Sequence, residues 1–371
     1  MQIGIPKETL DGETRVAATP ETIKKLIAAG HEVLVEHDAG LAARFGNDAY
    51  ETAGARLTNA AQTLIAPLIL KVRAPTGDEL AQMKAGSVLV GMLDPFDAQG
   101  LKAMAAAGLV AFALEAAPRI TRAQSLDVLS SQANLAGYKA VMLAANQYDR
   151  LFPMMMTAAG TLKAARVVVL GAGVAGLQAI ATAKRLGAVV EASDVRPAAK
   201  EQIESLGGKF IDVPFETEEE KEIAKGVGGY ARPMPPAWMA RQAALVAQRC
   251  AQADIVITTA LIPGRPAPHL ISAETVHAMK PGSVIVDLAV ERGGNCPLSQ
   301  INQVIEVNGV AIVGLTNLPA LVPTDASALY ARNLLDFLKL ITNGGELAIN
   351  RDDEIVQACL MCENNQVLRK N

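Results

Sequence analysis

The sequence predicts an α/β protein. Two Rossmann-like doubly wound domains, each a parallel sheet with helices on its faces, are joined by two long helices. Three observations carry this expectation. The chain has 371 residues, which suits two domains at roughly 150 residues each. Half of its residues are hydrophobic but only 4% are aromatic, an aliphatic balance that fits buried parallel strands better than a sandwich. Short aliphatic runs also alternate with Ala-rich stretches of helical spacing along most of the chain.

In chain order, strands are expected at Ile3–Ile5, Glu32–Glu36, Leu68–Val72, Ser87–Met92 and Val110–Ala113. Helices are expected at Pro20–Ala29 and Gln99–Ala107, the first with Thr19 as its cap, Pro20 at its start and Gly30 as its stop. A helix over Val128–Asn146 leads to a second series. There RVVVL (166–170) reads as a strand, GAGVAGLQAIATAKRLG as a helix, AVVEASD (188–194) as a strand and AAKEQIESLG as a helix. KFIDV, a helix over Pro236–Gln252, and strands DIVITT (254–259), SVIVDLA (283–289) and VAIVGLT (310–316) follow. A last helix over Ala326–Ile341 returns the chain, so its final 25 or so residues complete the first domain. The expected domains are thus 1–127 with 342–371, and 128–341, the second carrying both long helices.

Composition narrows the function. The net charge of −4 leaves no basic surplus for a phosphate backbone, so nucleic acid is not an expected partner. Cys250, Cys296, Cys359 and Cys362 make no disulfide framework, and the C-x-x-C at 359–362 lacks the second pair or the thioredoxin-like context a metal or redox site needs. No metal site is expected. MQIGIPKETLDGETR has no apolar core of a signal peptide, and the longest uncharged apolar stretch, Ala103 to Leu114, is too short for a bilayer. A soluble, cytoplasmic chain is the expectation.

Four segments carry chemistry. VVVLGAGVAG places Gly171, Gly173 and Gly176 as G-x-G-x-x-G between a strand and a helix, the context that makes this motif a dinucleotide site. Gly171 permits the tight turn, Gly173 lets the backbone approach a pyrophosphate, and Gly176 lets helix and strand pack closely. The helix N-terminus offers free N–H groups and partial positive charge. Asp194 ends the next strand, where a carboxylate accepts from an adenosine ribose and repels a 2′-phosphate, favouring NAD over NADP. Arg196 stands against that, since an arginine there accepts a 2′-phosphate; it otherwise stacks on adenine or faces solvent. The third segment, Phe215 to Trp238, holds a charge run, a Gly cluster, Tyr230 and three prolines. It reads either as a hinged flap laying Tyr230 over a ligand or as a passive surface loop. In the fourth, 117–141, Arg119, Gln124, Asp127, Ser130 and Ser131 open a long helix. They read either as a polar set converging on a ligand or as a capping network.

Taken together, GIPKE with GETRVA, LKVRAP, PRITRAQSLDVLSSQANLAGYKAV, VLGAGVAGLQAIATAKRLGA, GGYA, TTALIPGRPAP and GSVIVDLAVERGGN resemble one family over nearly the whole chain. It is the alanine dehydrogenase and nicotinamide nucleotide transhydrogenase α-subunit group. An alanine dehydrogenase of this pattern has an Arg, a Lys, a His and an Asp for its substrate. Here Arg15 and Lys71 are kept, the His segment reads GMLDPF (91–96) and the Asp position holds Glu291. Oxidative deamination is hard to reconcile with the missing His, so Arg15 and Lys71 read as remnants or internal ion-pair partners. RAQSLDVLSS instead resembles the transhydrogenase version.

That resemblance implies the NAD(H)-binding component of a proton-translocating, Re/Si-specific NAD(P) transhydrogenase. NAD(H) is then bound as a substrate for direct hydride transfer to NADP+, and the chain alone does not transhydrogenate. The resemblance assigns Arg119, Gln124, Asp127 and Ser130 to the nicotinamide and its ribose, with Ser125 and Leu126 in the same stretch. Gln124 is the bridge toward the second nucleotide. Val174, Asp194, Val195 and Arg196 meet the adenosine half. Gly229 and Tyr230 belong to a mobile loop, and Gln242 and Leu261 complete the pocket. The implied partners are an NADP(H)-binding component, a membrane-spanning component on whose cytoplasmic face the chain sits, and a second copy in a homodimer.

Overall fold

The computed structural model describes residues 1–196, 198–224, 234–262 and 264–369. They form two compact units, Met1–Gln132 with Pro319–Asn371, and Ala133–Leu318.

The first unit is built on an eight-stranded sheet. From one edge its strands run Gln366–Val367, Leu360–Glu363, Val110–Ala113, Val88–Met92, Leu68–Arg73, Gln2–Ile5, Glu32–Glu36 and Arg56–Thr58. The last six are mutually parallel. Leu360–Glu363 joins antiparallel to Val110–Ala113, so the C-terminal residues complete this sheet as expected, in a direction the sequence did not reveal. Parallel strands buried on both faces read as continuous aliphatic runs, and Leu68–Val72 and Val88–Met92 are buried throughout. Helix Pro20–Ala28 starts at Thr19, whose side chain accepts from Thr22 N–H in a reciprocal box, and Gly30 follows with φ +90°.

The helix Pro323–Ile341 lies in this first unit, whereas the sequence pattern grouped 319–341 with the second. Its buried residues Ala326, Tyr330, Leu334, Phe337 and Ile341 recur at helical spacing and join the first core. Phe337 packs its ring 5.4 Å from Phe112, and the Tyr330 hydroxyl donates to Lys71 O at 2.7 Å and accepts from Met92 N–H. The other long helix, Val128–Gln147, begins in the first unit and continues into the second at Ala133.

The second unit holds a seven-stranded sheet in the order Lys209–Phe210, Val189–Ser193, Arg166–Leu170, Ile255–Thr258, Val284–Asp287, Val310–Gly314 and Gln303–Val307. Six strands are parallel, and Gln303–Val307 adds an antiparallel edge. That edge strand, QVIEV, is largely exposed and has no continuous apolar run to announce it. Strand order reverses between Arg166–Leu170 and Ile255–Thr258. Such a reversal in an open α/β sheet leaves a crevice at the carboxyl ends of the strands, where ligands bind.

Candidate nucleotide site

In the second unit, strand Arg166–Leu170 turns through Gly171, Ala172 and Gly173 into helix Val174–Arg185. Gly171 adopts φ +95°, and a Cβ on it would meet Thr259 Oγ1 at 2.7 Å. A Cβ on Gly176 would meet Gly171 O at 1.9 Å, so helix and turn pack at backbone distance. Gly173 differs. A Cβ there would have no described neighbour within 4 Å. It is the N-cap of the helix and brings no side chain to satisfy the first N–H groups. The turn therefore presents open space beside uncapped amide donors, the arrangement that suits a phosphate. Exposed Val174, Val195 and Leu261 flank it as apolar walls.

Asp194 follows strand Val189–Ser193 and reaches back to the turn. Its Oδ2 accepts from Ala172 N–H at 2.7 Å and Arg196 Nη2 at 2.9 Å. Its Oδ1 accepts from Arg196 N–H at 2.8 Å and Arg196 Nε at 2.9 Å. Burial opposes the charge, but the Arg196 hydrogen bonds and the two amides outweigh it and hold the carboxyl below its ordinary range. These four donors fill the acceptor positions of a carboxylate. A ribose hydroxyl thus reaches Asp194 only by displacing one, and the Arg196 side chain, 37% exposed, is the one able to leave. Buried Gln242 joins the same strand end, with Nε2 donating to Ser193 Oγ at 3.4 Å.

In the first unit, Arg119, Gln124 and Ser125 are exposed, and Leu126 is buried as the anchor of the short helix Thr121–Leu126. Asp127 Oδ1 accepts from Ser130 N–H at 2.9 Å and its Oδ2 from Ser130 Oγ at 2.6 Å. This is capping geometry, and it leaves Gln124 and Ser125 displayed just before the helix start. Asn333 Nδ2 donates to Ser125 O at 2.7 Å and Ser131 Oγ donates to Asn333 Oδ1, tying the segment to helix Pro323–Ile341. Gly229 and Tyr230 lie outside the described residues. Trp238, at the start of helix Pro236–Gln252, is buried and stacked on Phe215 at 6.2 Å.

Arg15 and Lys71 are internal ion-pair partners. Arg15 gives Nε and Nη2 to Glu13 at 2.8 and 2.7 Å and Nη1 to Gln132 Oε1 at 2.8 Å. Lys71 Nζ lies 2.8 Å from Glu79 and 3.3 Å from Glu8. Against the cost of burial, Arg15 and Arg73 hold the Glu13 carboxyl at about 2. Where a dehydrogenase of this pattern has a His segment, Leu93 and Asp94 N–H groups donate to Glu115 instead. Burial pushes that carboxyl up to about 7. The four cysteines are buried free thiols, with burial holding Cys359 near 12 and Cys362 near 11.

Sequence reasoning missed Thr259, Asp287 and Asn295. Thr259 Oγ1 donates to Gly171 O at 3.0 Å, and Asn295 and Asp287 brace the segment that carries it. The only signal was their place inside TTALIPG and ERGGN, stretches whose similarity says nothing of role.

Residues 4–136 match the alanine dehydrogenase/PNT N-terminal domain and residues 140–370 the corresponding C-terminal domain. An NAD(P) transhydrogenase α subunit of Rhodospirillum rubrum is 54% identical over 346 residues, covering 91% of this chain and 89% of that one. The solved structure of a transhydrogenase from Sinorhizobium meliloti superposes with a TM-score of 0.90 at 51% identity, covering 99% of this chain and 100% of that one. The alanine dehydrogenase of Bacillus subtilis is 30% identical over 380 residues, covering 99% and 92%. The chain belongs to the alanine dehydrogenase/PNT family. Within it, the chain is markedly more similar to NAD(P) transhydrogenase α subunits than to that alanine dehydrogenase. Among the described residues no helix is long and apolar enough to cross a membrane.

Proposed function

We propose that this chain is the NAD(H)-binding component of a proton-translocating NAD(P) transhydrogenase. It holds NADH so that its hydride passes directly to NADP+ on a partner subunit. The supporting observation is the turn at Gly171–Gly176, with open space at Gly173, an uncapped helix and Asp194 at the end of the next strand. The turn and helix N-terminus take the pyrophosphate. Asp194 takes the adenosine ribose once Arg196 swings off it, and Val174 and Val195 cover the adenosine. Leu261 and Gln242 close the pocket, together with Gly229 and Tyr230. Arg119, Gln124, Asp127 and Ser130 take the nicotinamide end, with Gln124 toward the second nucleotide. Nicotinamide supplies the hydride chemistry, and the protein's contribution is orientation.

In this reading the chain works as a homodimer, peripheral on the cytoplasmic face of a bacterial membrane, docked on a membrane-spanning subunit. The test is direct. Pure protein binds NADH, forms no NADH from L-alanine and NAD+ at any pH, and transfers hydride only when mixed with an NADP(H)-binding component. Robust alanine-dependent NADH formation overturns it. The ion-paired Arg15 and Lys71 support the negative result, because both cations already face carboxylates of their own chain.

A further inference from the structure

Strand Val284–Asp287 ends on a carboxylate with no exposure. Asp287 Oδ1 accepts from Thr258 Oγ1, Ala289 N–H and Asn295 N–H, and its Oδ2 accepts from Cys296 N–H and Ser299 Oγ. These bonds fold the chain after the strand into a fixed loop that delivers Asn295, itself fully buried, beside the end of the neighbouring strand. There the Asn295 amide makes a reciprocal pair with one residue's backbone. Ala260 N–H donates to Asn295 Oδ1 at 3.0 Å, and Asn295 Nδ2 donates to Ala260 O at 2.9 Å. Its other Nδ2 hydrogen goes to Pro268 O at 2.7 Å. The side chain thus replaces the strand partner that the backbone lacks once Ile255–Thr258 leaves the sheet, and it clamps both ends of the 260–268 excursion.

The clamp leads to the Gly-rich turn. Thr259, one residue before the clamped Ala260, donates from Oγ1 to Gly171 O at 3.0 Å and its N–H pairs with Leu170 O. Leu261, one residue after it, is exposed beside that turn. Strand order places this side of the reversal opposite Asp194. The adenosine side is the Val189–Ser193 strand, so the Ile255–Thr258 side faces the other half of a dinucleotide laid across the crevice.

We propose that Asn295 is a positioning residue for the nicotinamide half of the bound dinucleotide, acting through the Thr259–Leu261 segment that its side-chain amide holds. The proposal rests on the nucleotide reading above and goes beyond it by assigning the strut that shapes one half of the site. Asn295 touches no nucleotide itself. Its effect is that of removing preorganisation from a wall of the pocket, so loss appears where that wall is used and nowhere else.

The experiment compares two probes on the full-length chain. Asn295→Asp keeps size and the acceptor for Ala260 N–H, but sets a carboxylate against Ala260 O and Pro268 O. NADH and ADP-ribose affinities are measured by calorimetry, with the thermal transition of nucleotide-free protein alongside. The expected result is a NADH affinity at least about tenfold weaker, an ADP-ribose affinity within about threefold of wild type, and a retained cooperative transition. Equal weakening of both probes makes Asn295 a merely structural residue and overturns the proposal; so does an unchanged NADH affinity. If Asn295→Asp does not fold, the smaller neutral Asn295→Ser is read by the same two affinities. Wild-type protein that binds no NADH fails the nucleotide reading instead, which separates the two failures.

Discussion

Strand order reverses between Gln2–Ile5 and Leu68–Arg73 in the first sheet, and between Arg166–Leu170 and Ile255–Thr258 in the second. The two crevices are topologically alike and chemically opposite. In the first, Glu8 crosses the reversal. Its Oε1 accepts from Val72 N–H at 2.6 Å and its Oε2 lies 3.3 Å from Lys71 Nζ. Glu79 takes the other side of Lys71, Glu13 saturates Arg15, and Glu115 fills the next strand end. Each of these charged groups has found a partner inside the chain. In the second crevice the backbone is brought close by glycines and then left open at Gly173, with uncapped amides and exposed apolar side chains. A topological switch point is thus only a position. It becomes a ligand site where the side chains around it leave donors unspent.

The sharpest way to break this contrast is at Lys71. Lys71→Ala leaves Glu8 and Glu79 buried without their cation, and breaking a buried pair by removing one partner costs about 3–5 kcal/mol. Urea unfolding should show a loss of that size, while calorimetry finds NADH affinity within about twofold of wild type. A matching fall in affinity would mean that the first crevice takes part in binding.

At the second crevice, Asp194→Ala removes a charged acceptor and should weaken NADH binding by about 1.5–3 kcal/mol while hardly moving NADPH. Equal affinity of the wild type for the two nucleotides would defeat the assignment. The depressed carboxyl also has a pH signature. Its contribution to stability is present above the unfolded value and is lost as pH falls through the folded one.

Gly173→Ala isolates open space from packing. With no described neighbour for the new methyl, stability should stay within about 0.5 kcal/mol of wild type. NADH affinity should fall at least about tenfold, or about 1.4 kcal/mol. An undiminished affinity would show that no phosphate lies against this turn.

The smallest effect at any one pH belongs to Glu115. Its carboxyl is raised from 4.5 to about 7 in the folded chain. The folded state therefore holds the proton that the unfolded state releases over that range. The contribution is fully present below the unfolded value and is lost as pH rises through about 7, with a slope of up to about 1.4 kcal/mol per pH unit. Glu115→Gln should flatten urea stability measured between pH 4.5 and about 7. A slope identical to wild type would place the titration elsewhere.

The sequence by itself determined the parallel strands, the Gly-rich turn and the Asp194 position. The reason is local. Strands buried on both faces must be aliphatic along their whole length, and a backbone approach at 1.9 Å from a would-be Cβ admits only glycine, so each leaves its mark at its own residues. Even the C-terminal return to the first sheet was legible, since a chain that crosses twice has to finish where it started. What only the tertiary structure decided was partnership. The burial of Pro323–Ile341 against the first core, the antiparallel edges at Gln303–Val307 and Leu360–Glu363, the Arg196 lock on Asp194 and the Asn295 clamp on Ala260 all join distant or unpatterned residues. An asparagine in a polar loop looks the same whether it faces water or replaces a missing strand. The difference lies wholly in which backbone groups the fold leaves without partners at that point, and that is settled only when the neighbouring strand ends beside it.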